Sequence, residues 1–195
     1  MEPEERFEEK PQPINGQKVC HYAKKPFGWL TMGENGCVIL AIYNALLRSG
    51  WEASVEEIHG ILNHPLQGRL CGVRTGELRA CLRKLKIPFE EVYSPRELER
   101  RMGIGSVAVV MRWNRVVPYC DFTVGTEPLS VVDYPDPFGG GHGVALERIG
   151  PRLWRVYNRY SSRGRACDYG DFWDYMGSRS AFMSAFLIQK AKKDS

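Results

Sequence analysis

Three residues of this sequence, Cys37, His142 and Asn158, are of the types that together support nucleophilic catalysis by a thiol. In such sites a cysteine attacks a carbonyl carbon, a histidine carries the proton, and an amide side chain orients the imidazole. Each residue alone also has an ordinary structural interpretation: a small core residue, a loop histidine and a turn residue. Their combination in this order along the chain is what predicts a catalytic thiol.

Cys37 begins the apolar segment CVILAIYNALLRS, which occupies residues 37–49. A segment that is apolar on nearly every face predicts a buried helix, and Asn35 is a suitable N-cap for it. Cys37 would then lie in the first turn, where unpaired backbone N–H groups and the positive end of the helix dipole favour a thiolate. The other five cysteines have no comparable position. We therefore expect one reactive thiol, with a pKa below that of an ordinary cysteine.

His142 lies in a glycine-rich segment immediately ahead of a predicted strand at 144–149. A turn at 150–152 separates that strand from a second one at 153–157, and Asn158 ends the second strand. Because the two strands are of similar length, the reversal brings Asn158 back toward His142. We expect the Asn158 amide oxygen to accept a hydrogen bond from the imidazole.

The elements that must position these residues divide the chain into a helical first half and a strand-rich second half. Beyond those above, capping and apolar patterns predict a helix after Ser54, one from Thr75 through Lys84, one after Ser94, a short helix around 169–176, and strands at 106–111 and 185–189. This order predicts an α+β fold in which a buried helix packs on an antiparallel sheet.

Length and composition predict one catalytic domain. The chain has 195 residues, of which 43% are hydrophobic, which suffices for one core but not for two full domains. Residues 1–18 are charged and rich in proline, and we expect a flexible N-terminal arm there. Residues 19–195 contain no long linker and are predicted to form the single domain.

Charge and hydropathy exclude several classes of partner. The 27 basic and 23 acidic residues are interspersed, which is not the clustered pattern of a nucleic-acid-binding surface. No run of about 18 apolar residues is available to cross a membrane. The acidic N-terminus does not resemble a secretion signal, so we expect a cytoplasmic protein.

The cysteine pattern predicts thiols in the reduced state and no metal site. Six cysteines are present, but a chain without a secretion signal favours free thiols over disulfides. No Cys-X-X-Cys pair occurs, so a structural zinc site is not expected. We predict no metal and no other cofactor.

The segments ENGCVILAIYNALLRSG and HGVALERIGPRLWRVYNRYSSRG resemble the two catalytic segments of papain-like cysteine peptidases. The first segment resembles the nucleophile helix of the compact bacterial branch, which includes bacteriocin-leader-processing peptidases, and the resemblance extends from about residue 29 to residue 158. It implies a papain-like fold, with Cys37 as nucleophile, His142 as general acid and base, and Asn158 as the residue that orients His142. It implies a peptide or protein as substrate.

The sequence departs from this family at the oxyanion hole. The family usually places a glutamine about six residues before the nucleophile, where this chain has Thr31. Gln17 lies too far upstream to be assigned from sequence. The Asn35 amide, beside the Cys37 backbone N–H, is the candidate donor.

Three functions therefore remain open. The first is hydrolysis of peptide or isopeptide bonds through a Cys-His-Asn triad. The second is acyl transfer to an amine, as in transglutaminase-like proteins, although these usually orient the histidine with an aspartate. The third is peptide binding without catalysis on a papain-like scaffold, which the missing glutamine favours. The sequence predicts neither the cleaved sequence nor the oligomeric state.

Overall fold

The computed structural model describes residues 11–63, 72–114, 140–158, 165–176 and 180–192. The helices in these ranges are α1 (Met32–Asn35), α2 (Cys37–Arg48), α3 (Val55–Leu62), α4 (Thr75–Lys84), α5 (Pro95–Arg101) and α6 (Phe172–Met176). The strands are β1 (Pro26–Phe27), β2 (Leu30–Thr31), β3 (Phe89–Val92), β4 (Val107–Asn114), β5 (Gly140–Gly150), β6 (Leu153–Tyr157), β7 (Cys167–Tyr169) and β8 (Ser180–Ile188).

Six of the strands form one antiparallel sheet in the order β3-β8-β4-β5-β6-β7. The predicted α+β class is therefore confirmed at the level of helices combined with an antiparallel sheet. Strands β5 and β6 form the predicted hairpin, in which Ala145 pairs with Tyr157. His142 lies within β5 and pairs with Arg112 of β4, so the candidate histidine belongs to the interior of the sheet.

Helix α2 packs against β4 and β5 on one face of the sheet. It is apolar on almost every face, and Val38, Leu40 and Ile42 are fully or almost fully buried. Helices α3 and α4 belong to the same apolar cluster, while α5 and α6 contribute to the cluster on the opposite face. Because α2 is enclosed on both sides, its first residue has a fixed position relative to β5.

An ion pair between the exposed Arg48 and the buried Glu147 connects the other end of α2 to the same strand. The Arg48 guanidinium donates two hydrogen bonds to the Glu147 carboxylate of β5, at 2.9 and 3.0 Å. The Tyr157 hydroxyl donates a third, at 2.7 Å. Because the Glu147 carboxylate is buried, loss of its charged partner would be destabilising, so this contact constrains the position of α2 along β5.

The described part of the chain contains no helix that combines the length and apolar character needed to cross a bilayer. Its four cysteines, Cys20, Cys37, Cys81 and Cys167, are free thiols. Cys71 and Cys120 lie outside the described residues.

Candidate active site

A sharp corner between α1 and α2 places Cys37 at the start of the buried helix. Gly36 is the N-cap of α2, and the Leu40 N–H donates the first helical hydrogen bond to its carbonyl at 3.1 Å. A Cβ at Gly36 would lie 2.6 Å from the Met32 carbonyl oxygen, so only glycine fits this corner. The prediction that Asn35 is the N-cap of α2 is wrong, because α1 continues through that residue. The expected first-turn position of Cys37 is confirmed.

The thiol of Cys37 is enclosed between α2 and β5, with only 7% of the residue exposed. Burial raises its pKa, and this effect exceeds the opposing effect of the backbone N–H groups of Gly143, Val38 and Cys37 on the sulfur. The helix terminus alone predicts a lowered pKa. Desolvation reverses that direction, so the resting thiol is protonated at neutral pH.

The Cys37 sulfur can contact the backbone of β5 because the residue after the candidate histidine, Gly143, is a glycine. A Cβ at Gly143 would lie 2.8 Å from Val38 Cγ2 and 3.1 Å from Val38 Cα. Any larger side chain would separate β5 from the first turn of α2. Gly143 therefore permits its own N–H to reach the Cys37 sulfur.

The His142 side chain is buried and hydrogen-bonded through Nε2 to the end of β6. This nitrogen lies 3.1 Å from the Asn158 carbonyl oxygen. Because a carbonyl can only accept, Nε2 carries the proton and Nδ1 is the basic nitrogen of the neutral ring. Burial lowers the pKa of His142 to about 3, against an opposing increase from the Asn158 carbonyl and with a further decrease from the Arg112 charge. The imidazole is therefore neutral at pH 7.

Asn158 connects the candidate nucleophile to the candidate base. Its backbone carbonyl accepts from His142, and its side-chain Nδ2 donates to the Cys37 carbonyl oxygen at 3.5 Å. The residue is 1% exposed and adopts φ of 58°, a left-handed conformation that asparagine tolerates better than most residues. The three residues predicted from sequence thus lie together.

Asn158 does contact the imidazole, but the prediction that its side-chain amide oxygen accepts this hydrogen bond is wrong. That oxygen accepts from the Gln17 backbone N–H at 3.2 Å, and the His142 ring is held by the Asn158 main chain instead. The left-handed turn after β6 directs the carbonyl toward the ring. Asn158 therefore contacts the His142 ring through its main-chain carbonyl and not through its side chain.

Gln17, to which the sequence assigns no role, contacts this site. Its side-chain Nε2 donates to the Gly33 carbonyl at 3.2 Å, four residues before the candidate nucleophile. The sequence distance of 20 residues from Cys37 concealed this proximity, because the intervening chain forms the β1–β2 hairpin and α1. Asn35, the donor expected from sequence, is half-buried at the end of α1.

Among the described residues, no cluster of three or more His, Cys, Asp or Glu side chains has the arrangement of a metal site. A scan against protein-family models finds no match to the chain, and a search of curated proteins finds none either.

The burial of neutral His142 predicts a specific pH dependence of stability. Its pKa falls from 6.5 to about 3 on folding, so below pH 6.5 the unfolded chain binds a proton that the folded chain does not. Titration of His142 leaves the free energy of unfolding unchanged above pH 6.5. As the pH falls from 6.5 toward 3, it lowers the free energy of unfolding by up to about 1.4 kcal/mol per pH unit. Urea unfolding at a series of pH values should give a smaller acid-side slope for His142→Gln than for the unaltered chain. Equal slopes would contradict a buried neutral imidazole.

Proposed function

We propose that this chain is a thiol hydrolase, similar to papain-like cysteine peptidases, that cleaves peptide or isopeptide bonds. The observation that supports this most strongly is the position of Asn158, which hydrogen-bonds to both the residue bearing the thiol and the imidazole. A core cysteine and a loop histidine, the alternative interpretations, would not require an asparagine in a left-handed conformation joining them. Cys37, His142 and Asn158 are the proposed catalytic set.

In the first step, His142 Nδ1 takes the proton from the Cys37 thiol as the sulfur attacks the substrate carbonyl carbon. The C–S bond forms and the carbonyl electron pair moves to oxygen. The imidazolium then returns its proton to the leaving nitrogen, the C–N bond breaks, and a thioester remains. Water attacks the thioester carbonyl carbon as Nδ1 takes one of its protons. The C–S bond then breaks, Nδ1 returns that proton to the sulfur, and the carboxylic acid is released with the thiol and the neutral imidazole restored.

The resting protonation state fits general-base catalysis. Burial raises the pKa of Cys37 and lowers that of His142. Over a wide range around neutral pH the transferable proton therefore lies on the Cys37 sulfur, and Nδ1 of His142 is unprotonated. A thiolate with an imidazolium holds the same number of protons, so transfer within the pair needs none from solvent. We propose that substrate binding and oxyanion stabilisation favour this transfer.

The oxyanion would be stabilised by the Cys37 backbone N–H and one side-chain amide. Asn35 is the candidate expected from the sequence, and Gln17 is a second candidate because it contacts both Asn158 and Gly33. Loss of such a donor costs about 3 kcal/mol of transition-state stabilisation.

The second candidate function is peptide binding without catalysis. The observation that favours it is burial, since His142 is only 4% exposed and Cys37 only 7% exposed. A substrate carbonyl must reach the sulfur before hydrolysis can occur, whereas a binding module has no such requirement.

Incubation of the chain with a complex peptide mixture, followed by mass-spectrometric identification of new termini, separates these functions. Hydrolysis predicts new termini that are absent with the Cys37→Ala variant. Added hydroxylamine would yield peptide hydroxamates at the same positions if the thioester transfers to amines. Retention of peptides without new termini would support the binding module and contradict the hydrolase.

A further inference from the structure

The N-terminal segment of residues 12–17, called the strap below, contacts the candidate active site directly. Gln17 and Asn15 of the strap both hydrogen-bond to Asn158, which lies 141 and 143 residues later in the sequence. Residues 11–18 belong to the arm that the sequence predicts to be flexible, and residues 1–10 lie outside the described part of the chain. The strap itself is held by hydrogen bonds from several side chains.

One end of the strap is anchored on the buried helix. The Asn44 side chain, which is fully buried in α2, accepts from the Ile14 N–H and donates to the Ile14 carbonyl, each at 2.7 Å. The Tyr43 hydroxyl donates to the Gln12 carbonyl at 3.2 Å. A buried asparagine that satisfies both backbone groups of one residue holds that residue in a defined register.

The other end of the strap holds Asn158. The Asn15 Oδ1 accepts from the Asn158 backbone N–H at 2.8 Å. The Gln17 backbone N–H donates to Asn158 Oδ1 at 3.2 Å. The strap thus binds the main chain and the side chain of the residue whose carbonyl orients His142.

We propose that Asn15 is a positioning residue of the active site, which fixes the Asn158 backbone and thereby the orientation of the His142 imidazole. This inference rests on the proposed function, because His142 must act on Cys37 for its orientation to matter. The Asn158 N–H and carbonyl flank the same left-handed residue, so release of the N–H allows its φ to relax. Relaxation would turn the carbonyl away from Nε2 and leave the ring free to rotate.

The test measures how fast iodoacetamide labels Cys37 at pH 6 and at pH 10, with the modified cysteine located by peptide mass. At pH 6 the reaction depends on proton acceptance by His142, whereas at pH 10 it relies far more on solvent deprotonation of the thiol. We expect Asn15→Ala to lower the ratio of the pH 6 rate to the pH 10 rate about tenfold. Asn15→Asp, which retains an acceptor oxygen at this position, should restore most of the ratio.

Two controls separate positioning from general loss of structure. Tyr43→Phe removes one strap hydrogen bond without touching Asn158, and the ratio should remain within about twofold of the unaltered chain. Cys81 is fully buried in α4, so its labelling reports unfolding in any variant. If Asn15→Ala does not change the ratio while His142→Ala does, the role of Asn15 is disproved. If His142→Ala leaves the ratio unchanged as well, the proposed function fails instead.

Discussion

The Cys37→Ala variant is expected to lose all catalysed hydrolysis of p-nitrophenyl acetate, and His142→Ala to lose about 10²–10⁴-fold of the catalysed rate at pH 7. The ester is a small activated acyl donor, so it tests the chemistry without knowledge of the natural substrate. Removal of the thiol leaves no nucleophile in the site. Removal of the imidazole leaves a thiol whose pKa is raised by burial and which has lost its proposed base. The measurement is p-nitrophenol release during multiple turnovers.

Cys81→Ala is the matched control for this experiment, because Cys81 is a fully buried thiol in α4 with a pKa raised to about 12. Its loss should leave the rate unchanged. Equal rates for the unaltered chain and Cys37→Ala would show that Cys37 is not the nucleophile. A normal rate for His142→Ala would exclude His142 as the base.

Replacement of Gly143 by alanine is expected to lower the free energy of unfolding by about 2 kcal/mol. The added Cβ would meet Val38 Cγ2 at 2.8 Å and Val38 Cα at 3.1 Å, so β5 must move away from α2. Movement of the strand would also withdraw the Gly143 N–H from the Cys37 sulfur. Urea denaturation measures the first effect, and p-nitrophenyl acetate hydrolysis measures the second.

Gly60→Ala in α3 is the matched control, because a Cβ there would have no heavy atom within 4 Å. A helical glycine-to-alanine change without steric conflict should raise stability by up to about 1 kcal/mol. Adding Val38→Ala to Gly143→Ala relieves the clash with the valine methyl group but leaves the clash with the helix backbone, so we expect partial recovery. Unchanged stability of Gly143→Ala would contradict the close approach of β5 to α2.

Local signals in the sequence were enough to predict the main elements that carry the site. The apolar run after Gly36 predicts α2, and the turn at 150–152 predicts the β5–β6 hairpin that returns Asn158 toward His142. The helix predicted from Thr75 through Lys84 matches α4 at both ends. These predictions depend on periodicity and turn residues within a few positions, which tertiary contacts did not override.

Features that depend on distant contacts could not be predicted. Strand β3 pairs with β8, about a hundred residues later, and two of its four residues are glutamates, which are depleted in strands, so its local signal is weak. The pKa direction of Cys37 depends on how completely β5 covers the helix terminus, which the helix sequence does not reveal. The contacts of Asn15 and Gln17 with Asn158 cross more than 140 residues, and a proline-rich segment shows no sign of them beforehand.

The pH profile of Cys37 alkylation, compared between the unaltered chain and His142→Ala, tests the proposed role of His142 most directly. A thiol and an imidazole that share one proton should react at a nearly constant rate between about pH 5 and pH 8. In His142→Ala the isolated thiol should lose reactivity about tenfold for each unit of decreasing pH. A flat profile that becomes steep on removal of His142 is the predicted result. Parallel, steep profiles for both chains would contradict the proposal that His142 serves Cys37 as its base.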